Sequence, residues 1–341
     1  MILILSHESI DEPTNVVIDW LDFYEADFIR LNGDDFRVNK TLKLDINNSE
    51  IVSNNDLIIS ENTINVIWYR RWKQPQENDF YFDKYSKLNL STEQVKIIEK
   101  YNKFLKQEEL KLNGGIFSVF KNKYWIPQTR NARGNLNKLD VLLRAKYFGL
   151  NIPNTIITAK REEVLSFFYN NNNSIITKPI SEADTMIYDD IQMPMFTKVL
   201  NEKEIKGFPP FFFPSLFQNN IKKKFEIRTF IHRKKIFSMA MFTQNDIQTT
   251  ADFRNYNINK PNRYVPFVLP KDLGKKILKL LQDLELNTGS IDLIYGDDDK
   301  YYFLEINPLG QFGMVSINCN YNIEKTIAED LIQLNLKKSK K

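Results

Sequence analysis

The sequence predicts an α/β protein of more than one domain, on three observations. The first is the N-terminal order of strand "MILIL", helix "TNVVIDWLDFYEA" opened by Thr14 or Asn15, and strand "DFIRLN". An alternation of that kind predicts a parallel α/β unit. The second is a repeat of strand, helix and strand after residue 150, in "TIIT", "REEVLSFFYN" and "SIITKPI". The third is a pair of hairpins in the last third of the chain, "FEIRTFIHRKKIFSMAMFT" and "SIDLIYGDDDKYYFLEINP", whose strands alternate apolar and polar residues.

The remaining elements follow from local signals. "INVIWYRRW", Ile64 to Trp72, reads as a strand ending in Arg70 and Arg71. "LSTEQVKIIEKYNKFLKQEELKLNGG" reads as a long helix: Ser91 and Gln94 make a capping box, Val95, Ile98, Tyr101 and Leu105 keep helical spacing, and Gly114-Gly115 stops it. The first domain is placed at residues 1–128. "NKLDVLLRAKYFGLNIP" is a helix ending at Gly149, and Asn170 to Asn173 is a helix stop and turn. "FPPFFFPSLFQNN" is read as a linker entering a short strand, being too rich in proline for a central strand throughout. The first hairpin turns at Arg233-Lys234-Lys235, "KDLGKKILKLLQDLEL" is a helix, and the second hairpin turns around Asp297 to Asp299. No internal repeat is present.

Composition excludes several classes. The 341 residues are 42% hydrophobic and 13% aromatic, which argues against disorder. Lys and Arg number 47 against 43 Asp and Glu, too even for a dedicated nucleic-acid binder. A single cysteine, Cys319, leaves no internal disulfide. "MILILSHESIDEP" has no basic n-region and too short an apolar run for a signal peptide or membrane span, so a cytoplasmic protein is expected.

Chemistry concentrates in the two hairpins. Glu305 and Asn307 lie two apart on a strand and share a face, and a turn near Asp298 sets Asp292 opposite residues 304 to 305. Opposed carboxylates destabilise a sheet unless a cation lies between them, and an all-oxygen set of Asp, Glu and Asn suits magnesium. The bland alternative is an edge strand with a solvated face. Glu226 and Arg228 likewise share a face, either as a salt pair on a wet surface or as a pocket that binds ribose and phosphate. Lys178 ends "SIITK" just before Pro179, within reach of phosphates if a nucleotide binds there, and otherwise solvated. Neither a Walker-type loop nor a G-x-G-x-x-G loop occurs.

The order "NKLDVLLRA", "IITKP", "LFQNNIKKKFEIRTFI", "SIDLIY" and "FLEINPLGQF" resembles the ATP-grasp superfamily, in its ribosomal-protein glutamate ligase-like branch. "KFEIRTF", "TADFRNYN", "RYVPFVLP" and "LEINPLGQF" resemble more closely the peptide maturases of the grasp-with-spasm and microviridin type, which make graspetides. The match runs from about residue 125 to 335, and the N-terminal unit fits the family's pre-grasp domain. The resemblance implies an ATP-grasp fold with a pre-grasp domain at 1–128, a central subdomain at 129–214, a C-terminal subdomain at 215–335 and a basic tail at 336–341.

The resemblance also implies roles. Lys138 and Lys178 match the two nucleotide-binding lysines; Ser215, Leu216, Phe217 and Gln218 match the hinge that holds adenine through its backbone; Glu226 matches the acid near the ribose. Asp292, Glu305 and Asn307 match the magnesium ligands, and Arg228 and Arg254 match arginines near the γ-phosphate and the acyl phosphate it becomes. Two positions depart from the pattern: no glycine follows Lys178 in "KPISEADTM", and Asn219 stands where the glutamate ligases often have an acid.

The implied function is ATP-dependent macrocyclisation of a ribosomally made precursor peptide, joining Asp or Glu side chains to Thr or Ser hydroxyls as esters. The alternatives are an intermolecular carboxylate-amine ligase and a nucleotide-sensing module without turnover. ATP and Mg2+ are the implied cofactors. The implied partner is a precursor with a leader and an acidic, Thr-rich core, with no nucleic acid and no membrane, and a homodimer left open. The segment Asp184 to Lys198, with Asp189 and Asp190 at a turn, is read either as a leader-recognition element or as a solvated turn.

Overall fold

The computed structural model of the chain describes residues 1–7, 12–33, 43–53, 57–72, 90–128, 136–181, 185–188, 191–194, 197–244 and 261–339. Two compact units emerge, residues 1–126 with 324–341, and residues 127–323.

The first unit is built on a parallel sheet. Strand β1 (Ile2–Ser6) is wholly buried and pairs in parallel with β2 (Phe28–Asn32) through the crossover helix α1 (Glu12–Phe23). That helix begins at Glu12, two residues before the expected Thr14. A small antiparallel sheet follows: β3 (Lys43–Asp45), β4 (Glu50–Ser53) and β5 (Leu57–Ser60). Strand β6 (Val66–Tyr69), helix α2 (Thr92–Val119) and strand β7 (Tyr124–Ile126) complete the parallel sheet in the order β2-β1-β6-β7.

The capping box forms as expected: Ser91 Oγ accepts from Gln94 N, and Gln94 Oε1 accepts from Ser91 N. The expected stop does not. Helix α2 runs through Gly114-Gly115 to Val119, because the turn beyond the glycines buries Ile116 and Phe120 completely. Burial of two large side chains outweighs about 1 kcal/mol of helix propensity lost at each glycine.

In the second unit, Asn137 caps helix α3 (Lys138–Tyr147) by accepting from Leu139 N and Asp140 N, and Gly149 ends it at φ 73°. Next come β8 (Thr155–Lys160), α4 (Arg161–Asn170), β9 (Ile175–Lys178), the hairpin β10 (Thr185–Tyr188) and β11 (Ile191–Pro194), β12 (Lys198–Leu200), α5 (Glu202–Lys206) and β13 (Phe211–Asn219). The main sheet has the order β12-β9-β13-β8, and one face packs Phe217, Ile175 and Leu200 against Val164, Phe168 and Ile205 of the two helices. The proline-rich "FPPFFFPSLFQNN" is therefore a central strand of nine residues rather than a linker with a short strand. Its register with β8 shifts between Phe211 and Ser215, so Pro214 falls at the irregularity, where a missing donor is tolerated.

A five-stranded antiparallel sheet follows, in the order β16-β15-β14-β17-β18. Its strands are β14 (Lys223–His232), β15 (Lys235–Phe242), β16 (Arg263–Phe267), β17 (Thr288–Gly296) and β18 (Tyr301–Asn307). Helix α6 (Lys271–Asp283) lies between β16 and β17 in sequence and packs with α3 on one face. There Ile227, Ile291, Leu293, Phe303 and Ile306 meet Val141, Leu142, Ile277 and Leu280 in a single core. Helices α7 (Gly313–Cys319) and α8 (Ile323–Ser339) close the chain. From Glu324 onward α8 belongs to the first unit, where Asn335 accepts from the amino group of Met1 at 2.8 Å and Glu329 from Tyr24 at 3.0 Å. Among the described residues no helix is long and apolar enough to cross a membrane.

Candidate active site

The face of the five-stranded sheet turned away from α3 and α6 carries the charged residues. On β14, Ile227 and Ile231 enter the core, so Glu226 and Arg228 point the other way by alternation. Arg228 is in register with Asp292, and Asp292 with Glu305.

That last pairing depends on a bulge. Leu293 pairs with Phe303 while Asp292 pairs with Glu305, so Leu304 is an extra residue on β18. Phe303 and Ile306 both enter the core, which unbroken alternation would forbid. The inserted residue reverses the phase of the strand and turns Glu305 to the side of Asp292, as bulges beside functional sites do.

Two carboxylates opposed in this way repel, and two cations offset the repulsion. Arg228 Nη1 lies 3.5 Å from Asp292 Oδ1, with side chains only 14% and 20% exposed. Lys138 Nζ, from the first position of α3, lies 3.4 Å from Glu305 Oε2 and donates to Ser181 O at 3.0 Å.

Asn307 pairs with Ser290 at the end of β18. Its Oδ1 accepts from Leu309 N at 3.0 Å, and its carbonyl accepts from Gly310 N at 3.1 Å, which folds "NPLG" into a tight turn. Gly310 is required there: a Cβ at that position would lie 2.2 Å from Ser290 Cβ.

Glu226 is already engaged. Its Oε1 is ion-paired with Lys223 and accepts from Thr243 Oγ1 at 2.9 Å, and both charged side chains are only 9% exposed. Residues three apart on a strand normally face opposite ways. Here the register with β17 shifts between Lys223 and Phe225, and the extra residue brings Lys223 to the face of Glu226. The pairing of Lys223 and Thr243 with Glu226 was not legible, since a strand bulge leaves no periodic signal.

Lys178 ends β9 in register with Leu216, on the face opposite the one where Phe217 and Ile156 meet α4. Leu216, Phe217 and Gln218 do not form an open hinge. The ladder alternates, so that Phe217 turns its backbone groups to β8 and Leu216 and Gln218 turn theirs to β9. The same alternation continues where Asn219 N donates to Asn154 O and Asn220 N to Ser174 O, both at 3.0 Å. Each of these carbonyls keeps a second lone pair, so an adenine held here would share acceptors that already serve the sheet. Ser215 lies at the start of this paired run, its hydroxyl donating to Phe213 O. Arg254 lies outside the described residues, as do Asp189 and Asp190 between β10 and β11.

Asp292, Glu305 and Asn307 present hard oxygens from one hairpin, which fits a magnesium ion. Among the described residues no group of three or more His, Cys, Asp or Glu could hold a metal, so further ligands would come from water or phosphate.

Comparison with known proteins extends these observations. Residues 1–131 match the family model described as the MvdD pre-ATP grasp domain. No curated protein matches the chain. Among solved structures, the RiPP-associated ATP-grasp ligase of Chryseobacterium gregarium, in complex with ADP and a leader and core peptide, is 24% identical. It covers 99% of this chain and 96% of its own at a TM-score of 0.80. The macrocyclase MdnC of Microcystis aeruginosa MRC, bound with precursor peptide MdnA, is also 24% identical, covering 98% and 99% at a TM-score of 0.78. The ATP-grasp ligase PsnB, complexed with minimal precursor, Mg and ADP, is 16% identical and covers 98% and 97% at a TM-score of 0.76. The fold of this chain is the ATP-grasp fold, in the form taken by these ligases and macrocyclases.

Proposed function

We propose that this protein is an ATP-dependent ligase that closes side-chain esters within a ribosomally made peptide. The observation that carries the reading is the in-register pair Asp292 and Glu305 with Asn307 at the same strand end, neutralised by Arg228 and Lys138. Structures of similar fold bound to ADP and to precursor peptides support it.

In this reading Asp292, Glu305 and Asn307 hold magnesium, and the bound ion supplies charge neutralisation for the phosphate groups. Lys138, Lys178 and Arg228 donate to phosphate oxygens. A substrate Asp or Glu carboxylate attacks the γ-phosphorus, the bond to the bridging oxygen breaks, and ADP leaves an acyl phosphate. A Thr or Ser hydroxyl of the same peptide then attacks the carbonyl carbon. The hydroxyl proton and the phosphate depart, and an ester remains. Arg228 and Lys138 stabilise the charge that builds on the transferring group, and one chain carrying both reactants raises their effective concentration. Arg254 keeps the role the resemblance implies, near the acyl phosphate.

The test uses the purified protein, ATP, magnesium and an acidic, Thr-rich peptide encoded beside its gene. Mass spectrometry is expected to show successive losses of water, reversed by mild base. Addition of an amino-acid residue without dehydration would establish the intermolecular ligase instead.

A further inference from the structure

A concavity lies along helix α3 and strand β8. It has a volume of about 830 Å³ and is lined by α3, residues 150–157 and the end of β18. Leu139, Leu142, Leu143 and Lys146 present one stripe of α3 to it, and Ile157 and Phe167 form the opposite wall. Two lysines line it, Lys146 and Lys300, and no carboxylate does. Lys300 also reaches Asp298 at 3.1 Å, whereas Lys146 has no ion pair among the described residues.

One wall is a sheet edge. Strand β8 is the last in the order β12-β9-β13-β8. Because Asn219 N donates to Asn154 O, the ladder with β13 uses residues 154, 156 and 158. Thr155 and Ile157 therefore turn both their N–H and C=O groups outward, on the side the concavity occupies. Among the described residues no further strand pairs with this edge, and an edge of that kind beside an apolar trough is the arrangement that accepts an added strand.

We propose that this groove binds an extended, acidic stretch of the peptide substrate, paired as a strand against β8. The inference rests on the ligase reading and names where its substrate lies. A small ligand would leave the edge groups of Thr155 and Ile157 unmet, a helix could not pair with them, and a basic peptide would face Lys146 and Lys300. The groove also leads to the chemistry. Tyr302, which lines it, stands two ladder steps from Glu305 on β18, the bulged Leu304 between them, about 7 Å along the strand. Lys138 begins the helix whose next turns form its wall.

The experiment measures fluorescence anisotropy of a fluorescein-labelled peptide of alternating Val and Glu with the full-length protein, beside the same peptide carrying Lys for Glu. The acidic peptide is expected to bind and the basic one not. Lys146→Glu, at an exposed position, should weaken binding by roughly tenfold or more, the order of one lost charge-assisted contact. Ile157→Pro removes an outward N–H and should weaken it further, while ADP affinity in both variants stays at the wild-type value and reports an intact fold. Equal binding of both peptides, unchanged affinity in Lys146→Glu, or no binding at about 1 mM peptide overturns the proposal. Failure of the ligase reading looks different: the peptide binds with these preferences, yet no precursor loses water in the presence of ATP.

Discussion

Gly310→Ala is expected to loosen the turn that carries Asn307, and the structure gives the size of the effect. The added Cβ would fall 2.2 Å from both Cβ and Oγ of Ser290 and 2.9 Å from its backbone N. Carbon atoms in contact prefer about 3.5 Å or more, so a gap of about 1.3 Å must open. Ser290 cannot yield it, being 2% exposed on β17 with β14 and β18 paired on its two sides. The turn has to move, and it then loses the bond from Ser290 Oγ to Gln311 O at 3.1 Å. Overpacking costs about 1–3 kcal/mol and the lost bond about 1, so the local penalty is about 2–4 kcal/mol.

Hydrogen exchange read by mass spectrometry on peptides spanning β17 and β18 measures that penalty directly, without requiring the whole chain to unfold in one step. Protection in this hairpin should fall roughly 30- to 700-fold. Ser290→Gly removes two of the three contacts, so the double variant should recover part of the loss, incompletely because the backbone N remains. Full protection in Gly310→Ala, or strictly additive losses in the double variant, would refute the reasoning.

Glu305→Gln keeps the shape of the site but removes a charged oxygen ligand; ATP turnover should drop roughly 100-fold or more with an unchanged circular dichroism spectrum, and wild-type turnover would sink the metal assignment. Gly114→Ala, inside α2 with nothing within 4 Å of the added Cβ, should stabilise the first unit by about 0.5–1 kcal/mol, read as greater amide protection in α2; unchanged or lower protection would contradict it. Burial, and then the hydrogen bond to Asp298, push the Tyr302 phenol up to about 12. The folded state thus holds this proton more tightly than the unfolded state, so the stability it contributes is intact below the ordinary tyrosine value and is lost as pH rises towards 12. Ultraviolet titration of wild type against Tyr302→Phe should show the missing ionisation near that value, and a difference centred on the ordinary tyrosine value would contradict it.

Most of the fold was legible because its signals are local. The capping box at Ser91, the stop at Gly149 and both hairpin turns are matters of a few adjacent residues. The misreadings share a cause, tertiary packing overriding local preference. Gly114-Gly115 reads as a stop until Ile116 and Phe120 find a core. "FPPFFFPSLFQNN" reads as a linker until a strand on each side supplies partners. The return of α8 to the amino terminus, through Asn335 and Met1, is a contact 334 residues apart in sequence and leaves no local trace.

The site was legible in its residues and less so in its geometry. Alternation alone puts Glu305 and Asn307 on one face, but it cannot say which face. Continued from Phe303, it would send Glu305 into the core beside Ile291 and Leu293. The bulge at Leu304 decides the matter, and a second irregularity near Lys224 likewise brings Lys223 to Glu226. Both sit at the charged face, where a strand must change phase to present acids on one side while its apolar residues stay packed on the other. Deleting Leu304 is therefore a sharper test than replacing any ligand. With Leu304 removed, Phe303, Glu305 and Ile306 alternate in, out and in without a bulge, so Glu305 should stay opposite Asp292, with magnesium-dependent turnover and hairpin protection largely kept. A Leu304 deletion that lost both would show that Leu304 does more than set the phase of the strand.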